Sequence, residues 1–220
     1  LFRPADVIGY VPTMVGAADE QIARWRAKGV THRAAIDYDM TETTFAVIAR
    51  TVLAGIDESE GDAVKRTGYA FLRPIMWSVA AALMLLPEQI WHPGKSRMKT
   101  AAREFREVVQ RLLDKRRADG LDGDDLVARM LSARHPETGA AMSDEQIIDN
   151  LATFLVAGHE TTAKALTWTL YLLARSPEWQ ERVRAEIHEV TGGNAIGPGD
   201  IGKLGGTQPV LKESMRPYPP

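Results

Sequence analysis

The longest helical pattern in the chain runs from Ser143 to about Arg175, and it constrains the fold more than any other feature. A helix of that length needs other helices along its flank to cover its apolar face. Ser143-Asp144-Glu145-Gln146 opens it as a capping box, in which the Ser hydroxyl and the Gln side chain each satisfy an orphan backbone donor. Its midpoint, Phe154-Leu155-Val156-Ala157-Gly158-His159-Glu160-Thr161-Thr162-Ala163, breaks the rules of a buried helix. Gly158 costs about 1 kcal/mol relative to Ala. Thr161 and Thr162 can bond back to the carbonyls of Ala157 and Gly158, which bends helices. These features predict a local kink or a widened groove with room for water. Thr153, Ala157 and Thr161 recur at i, i+4, i+8 and share one face, with Glu160 on its flank.

The other segments are helical as well. Periodicity and stop signals place helices at Pro12–Lys28, Thr41–Leu53, Asp62–Leu72, Ile75–Leu86, Ser96–Ala118, Asp124–Ala133, Ser176-Pro177 to Val190, and Thr207–Arg216. Gly29, Gly55, Gly120 and Gly192-Gly193 supply stops, and Pro74 separates two of the helices. In Ser96–Ala118, Phe105, Val108, Val109, Leu112 and Leu113 form one apolar stripe. Residues 135–142 and 197–206 read as loops. No stretch alternates like a strand. The expected class is all-α.

Composition narrows the function classes. The chain has 220 residues, 45% hydrophobic and 25% charged, with a formal net charge of −2 spread in both signs. That is an ordinary soluble core without the basic stripe of a nucleic-acid binder. There is no Cys, so the chain itself supplies no disulfide, zinc-thiolate site or thiol nucleophile, which fits a cytoplasmic protein. The apolar run Ile75–Leu86 is shorter than the roughly 20 residues a bilayer needs. Neither terminus has the pattern of a natural end, so a fragment is expected, truncated at both ends.

Several partial motifs fail. Gly197-Pro198-Gly199-Asp200-Ile201-Gly202 fits G-x-G-x-x-G but lacks the preceding strand. His159-Glu160 begins H-E-x-x-H, but the fifth position is Ala163. Two constellations remain. At the midpoint of the long helix, a solvated stripe with back-bonded Thr competes with a second reading. In that reading something flat or small lies against Ala157 and Gly158, with an acid and an alcohol aimed at it, an arrangement suited to proton delivery. The second constellation is Glu213 and Arg216, neighbours on a helix surface, followed by Pro217-Tyr218-Pro219-Pro220.

Together the two constellations resemble the cytochrome P-450 superfamily of haem-thiolate monooxygenases. Ala157-Gly158-His159-Glu160-Thr161-Thr162 is similar to its A-G-x-[DE]-T-T signature, and Glu213 to Arg216 to its E-x-x-R signature. Leu172 to Glu178, Phe2-Arg3-Pro4 and Tyr10 to Met14 also resemble family segments. The resemblance implies that residues 1–220 are part of a single domain, the helical middle section from after the C helix to the K helix. It implies that Ala157, Gly158 and Thr162 bind haem, with Glu160 and Thr161 as the proton-delivering pair. Thr153 would face substrate, and the segment from Ser59 to Ile90 would roof an apolar pocket. Glu213 and Arg216 would be a structural ion pair. The implied iron ligand is a Cys outside this chain, so the chain alone is expected to be inactive. The implied partners are a lipophilic small molecule, dioxygen, and a ferredoxin or flavoprotein reductase as electron donor, in a bacterial setting. Pro217 and Gly205-Gly206 depart from the family pattern and predict a frayed last helix. An all-α ligand-binding or interaction module without haem chemistry is the alternative.

Overall fold

The computed structural model describes residues 4–31, 33–52, 58–72, 75–86, 94–119 and 126–220. The predicted stops at Gly55 and Gly120, the separating Pro74, Phe2-Arg3, and parts of the expected pocket roof lie outside these residues. Among the described residues every named element is helical. They are α1 (Pro4–Gly9), α2 (Val11–Ala27), α3 (Ile36–Val52), α4 (Glu58–Leu72), α5 (Ile75–Leu83), α6 (Lys95–Asp119), α7 (Leu126–Ser132), α8 (Asp144–Ala174), α9 (Pro177–Thr191) and α10 (Thr207–Met215), with a 3-10 turn at Ile201–Lys203. The only extended pairing among them is a single antiparallel bridge between Arg134 and Ala141, which closes the loop before α8.

The chain divides into two compact units, residues 1–51 with 157–220, and residues 52–156. In the second unit the α6 stripe is buried as its pattern predicts, from Phe105 at 8% exposed to Leu113 at 0%. It joins Val64 of α4, Val127 and Leu131 of α7, and Ile147, Leu151 and Leu155 of α8. Each such side chain contributes about 1.5–3 kcal/mol when fully buried. The start of α8 is fixed twice. The capping box forms, with Ser143 N donating to Gln146 Oε1 (2.9 Å) and Gln146 N to Ser143 Oγ (3.2 Å). The Asp144 carboxylate then accepts from Gln110 Nε2 (2.8 Å) and Arg117 Nη1 (2.9 Å) of α6. Arg117, and after it Gln110, hold the Asp144 carboxyl down at about 2.

Several boundaries differ from the sequence expectation. Helix α1 was not expected at all. Helix α3 begins at Ile36 rather than Thr41. Its first turn carries two Asp residues, poor formers in isolation, but both find tertiary partners: Asp37 pairs with Lys164, and Asp39 accepts from Trp25 Nε1 at 2.8 Å. Helix α5 stops at Leu83 rather than Leu86 because Leu85 turns left-handed, with φ 54°. Leu86 N then donates to Ala81 O and Leu85 N to Ala82 O, which is a Schellman cap built on Leu instead of Gly. Helix α9 begins at Pro177 and stops at Gly192, where φ is 62°, as expected. Ser176 occupies the N-cap position, but its hydroxyl makes no capping bond. Helix α8 keeps α-helical state without interruption from Asp144 to Ala174, through Gly158.

Candidate active site

The face of α8 at Ala157 is shallow and polar. Ala157, Glu160 and Thr161 are all exposed, and helical register places Glu160 and Thr161 on either side of Ala157. Thr161 Oγ1 donates to the Ala157 carbonyl at 2.7 Å, the expected back-bond. Its proton is committed to the backbone, so its lone pairs are the groups offered outward. No corresponding bond runs from Thr162 to Gly158. Among the described residues Glu160 makes no ion pair or side-chain hydrogen bond. The result is a free carboxyl group and an oriented hydroxyl one position apart, beside a methyl-sized side chain.

The reverse side of the same turns is packed against α3. A Cβ built on Gly158 would lie 2.5 Å from Ile48 Cδ1, so a larger residue there would have to push the end of the Ile48 side chain aside. Gly158 thus has Ile48 as its neighbour, and Ala157 is the exposed small residue beside it. Thr162 lies about 140° around the helix from Ala157. The seam has a polar tie as well. Thr44 Oγ1 lies 2.9 Å from the carbonyls of both Met40 and His159. The His159 ring is 2% exposed and meets Phe45 edge-on, with centroids 5.9 Å apart. His159 is therefore a core residue. No group of metal-binding side chains occurs among the described residues.

Thr153 belongs to the other unit. It is exposed, and its hydroxyl donates to Asp149 O at 2.8 Å.

The Glu213–Arg216 pair forms as its spacing predicts. Arg216 Nε lies 3.0 Å from both carboxylate oxygens, and Nη2 lies 2.8 Å from Oε1. Each partner favours the charged form of the other, lowering the Glu213 carboxyl and raising the Arg216 guanidinium. The pair is exposed and borders a groove of about 440 Å³ floored by Thr169, Leu172, Val210 and Ser214. Thr169 Oγ1 and Ser214 Oγ, both buried, are 2.6 Å apart and tie α8 to α10.

Sequence reasoning missed what holds α10 in place. The Glu186 carboxylate of α9 accepts from Gly206 N (2.5 Å), Thr207 N (2.8 Å) and Thr207 Oγ1 (2.6 Å). The Thr207 hydroxyl first, and then the Gly206 N–H, pull its pKa below the usual value. The predicted fraying is therefore opposed at the N-terminus of α10 by a long-range cap. Beyond α10, Tyr218 stacks on Trp168 with centroids 4.1 Å apart and planes 7° from parallel. A Tyr placed between two Pro residues was the available signal, but its partner lies fifty positions earlier.

Comparison with known proteins decides the family, since the profile described as Cytochrome P450 matches residues 2–220. The chain belongs to the cytochrome P450 family. Its relatives include cyclooctat-9-en-7-ol 5-monooxygenase of Streptomyces melanosporofaciens, 36% identical over 83% of this chain and 40% of that protein. Another is the bifunctional cytochrome P450/NADPH–P450 reductase ALT2 of Alternaria alternata, 32% identical over 98% of this chain and 20% of that protein. Among solved structures, the cytochrome P450DA heme domain superposes with a TM-score of 0.80 at 27% identity, covering 98% of this chain and 47% of that one. The chain thus spans less than half the length of these relatives, and its all-α architecture is a portion of the P450 fold.

This family implies haem. At the exposed turn of α8 the chain offers such a group a small side chain, Ala157, with a carboxyl and a hydroxyl on either side of it. The chain has no thiol to offer iron.

Proposed function

We propose that this chain is the central part of a single-domain haem-dependent monooxygenase that activates dioxygen and hydroxylates a lipophilic small molecule. The observation that carries the reading is the unpartnered Glu160 beside a Thr161 hydroxyl whose proton is held by Ala157 O. Haem, when bound, supplies the oxygen-activating chemistry, with its iron held by a Cys outside these residues. Ala157, with Gly158 and Thr162 on the same turns, would hold the group, and the small Ala157 side chain would limit crowding there. Thr161 Oγ1, with its lone pairs directed outward, accepts a hydrogen bond from the protonated Glu160 side chain or from water. Glu160 takes a proton from solvent at its exposed carboxyl and would release it to a water hydrogen-bonded to Thr161 Oγ1, which would carry it to the oxygen being reduced. Thr153 faces substrate, and Glu213 with Arg216 steadies the base of the site.

The electron donor in this reading is a ferredoxin or a flavoprotein reductase. The relatives named as P450 and reductase in one chain support the latter class for their own proteins. A cytoplasmic location belongs to the same reading, and among the described residues no helix is long and apolar enough to cross a membrane.

Thr161→Ala in the full-length protein is the test. Removing the hydroxyl should divert reducing equivalents to peroxide while reduction itself continues, lowering hydroxylated product per NADPH by tenfold or more, on the order of a general acid–base contribution. Unchanged coupling would refute the proton-delivery role. Residues 1–220 produced alone with haem should lack the thiolate-type absorption of the reduced CO complex, and its appearance would refute the inactivity of the chain by itself.

A further inference from the structure

Glu160 and Lys164 stand at i and i+4 with the acid N-terminal, the orientation in which a helical Glu–Lys pair attracts most. They are nevertheless not paired. Lys164 Nζ lies 2.5 Å from Asp37 Oδ1 in the first turn of α3, and Glu160 has no ion pair among the described residues. We propose that Asp37 is a positioning residue for Glu160: by engaging Lys164, it keeps the ammonium off the carboxyl group that carries the proton. The inference rests on the proton-delivery reading and extends it to a residue that the signature motif does not contain.

The geometry supports a competition between two carboxylates for one cation. Lysine carries its charge on a flexible four-carbon stem and can turn to either side. The Lys164 and Asp37 side chains are 39% and 62% exposed, so their pair is weak and easily redirected. The backbone around it is not free to drift. Along the seam Asp37 meets Lys164, Thr44 meets His159 and Ile48 meets Gly158, so α3 runs antiparallel to α8 and is held by the latter two contacts.

The other charged groups at this seam are already engaged. Asp39 accepts from Trp25, Arg50 pairs with Glu20 of α2, and Glu42 carries interactions of its own. His159 is buried with its ring against Phe45. Among the described residues Lys164 is thus the cation within helical reach of Glu160, and it points to Asp37 instead. A cation beside a carboxylate stabilises the ionised form. With Lys164 moved across, Glu160 would give up its proton at lower pH and hold it over a narrower range.

The experiment uses the full-length haem protein. Carbon-13-edited infrared titration follows the glutamate carboxyls, and the Glu160 band is identified by its loss in Glu160→Gln. Asp37→Asn should lower the Glu160 midpoint by about half a pH unit, the size expected for an exposed pair. The pH profile of product formed per NADPH should move the same way. The double variant Asp37→Asn/Lys164→Gln should return both to the wild-type position, because no cation remains to be redirected.

An unmoved midpoint in Asp37→Asn overturns the proposal, and so does a shift that persists in the double variant. Equal losses of melting temperature in Asp37→Asn and Lys164→Gln with no change in titration would show a helix–helix tie and nothing more, which also overturns it. The parent reading fails separately, through unchanged coupling in Thr161→Ala or Glu160→Gln. The infrared midpoint answers for Asp37 in either case.

Discussion

The two signature motifs sit on helices that are held in different ways. The Ala157–Thr161 turn is backed along α8 by α3, with Gly158 closed over by Ile48 and a buried Thr44 hydroxyl at the His159 carbonyl. The Glu213–Arg216 turn lies on a short helix with one wholly buried polar contact, Ser214 to Thr169, and is otherwise held at its two ends. One end is the Glu186 cap and the other is the Tyr218–Trp168 stack. The Ala157–Thr161 motif is thus built on a seam with little freedom. A motif that presents an ion pair is suspended between end contacts.

The largest expected effect breaks the seam. Gly158→Leu drives a side chain into Ile48 and should cost about 1–3 kcal/mol, the usual penalty for overpacking. Chemical denaturation measures it, and Gly158→Leu/Ile48→Ala should recover part of the loss. No recovery would mean that Ile48 is not the constraint. Next comes the suspended helix. Tyr218→Ala removes an aromatic stack and should cost about 0.5–1.5 kcal/mol beyond the buried area. Hydrogen exchange should show faster opening of α10 than of α8, and equal acceleration in both would erase the distinction drawn between them.

Glu186→Gln should also loosen α10, since an amide cannot accept all three donors. The lowered pKa of Glu186 fixes the sign of the pH dependence. The cap is fully present above the ordinary carboxylate range and is lost as pH falls through the lower folded value. Protection of the Thr207 amide, measured against its intrinsic exchange rate, should therefore fall on acidification in wild type, whereas in Glu186→Gln it should not.

The smallest effect concerns the far end of α8. Asp144→Asn weakens the bonds from Arg117 and Gln110, and because the side chain is about one-third exposed the cost should be only about 0.5 kcal/mol. That contribution is present above about pH 4, where the unfolded carboxyl is ionised, and disappears as pH falls toward the folded value of about 2. Melting curves of wild type and Asp144→Asn should therefore converge as the pH falls to about 2. Curves that stay apart there would assign the effect to something other than this carboxylate.

What was legible in the sequence was local. The capping box at Ser143, the α6 stripe, the left-handed stop at Gly192, the Thr161 back-bond and the Arg216 bond to Glu213 all involve residues within a few positions of one another. Spacing alone fixes whether such residues meet, because the helix sets their angles. The two signatures identified the family for the same reason. What tertiary structure decided were contacts between distant residues. The start of α3 depends on Trp25 and Lys164, the space left at Gly158 on Ile48, the rigidity of α10 on Glu186, and the position of Tyr218 on Trp168. None of these partners is within helical reach of the residue it controls. Periodicity shows which side of a helix is buried, but only the packed chain shows which neighbour arrives there. That is why Gly158 and Ala157, adjacent and alike in the sequence, face different neighbours in the fold.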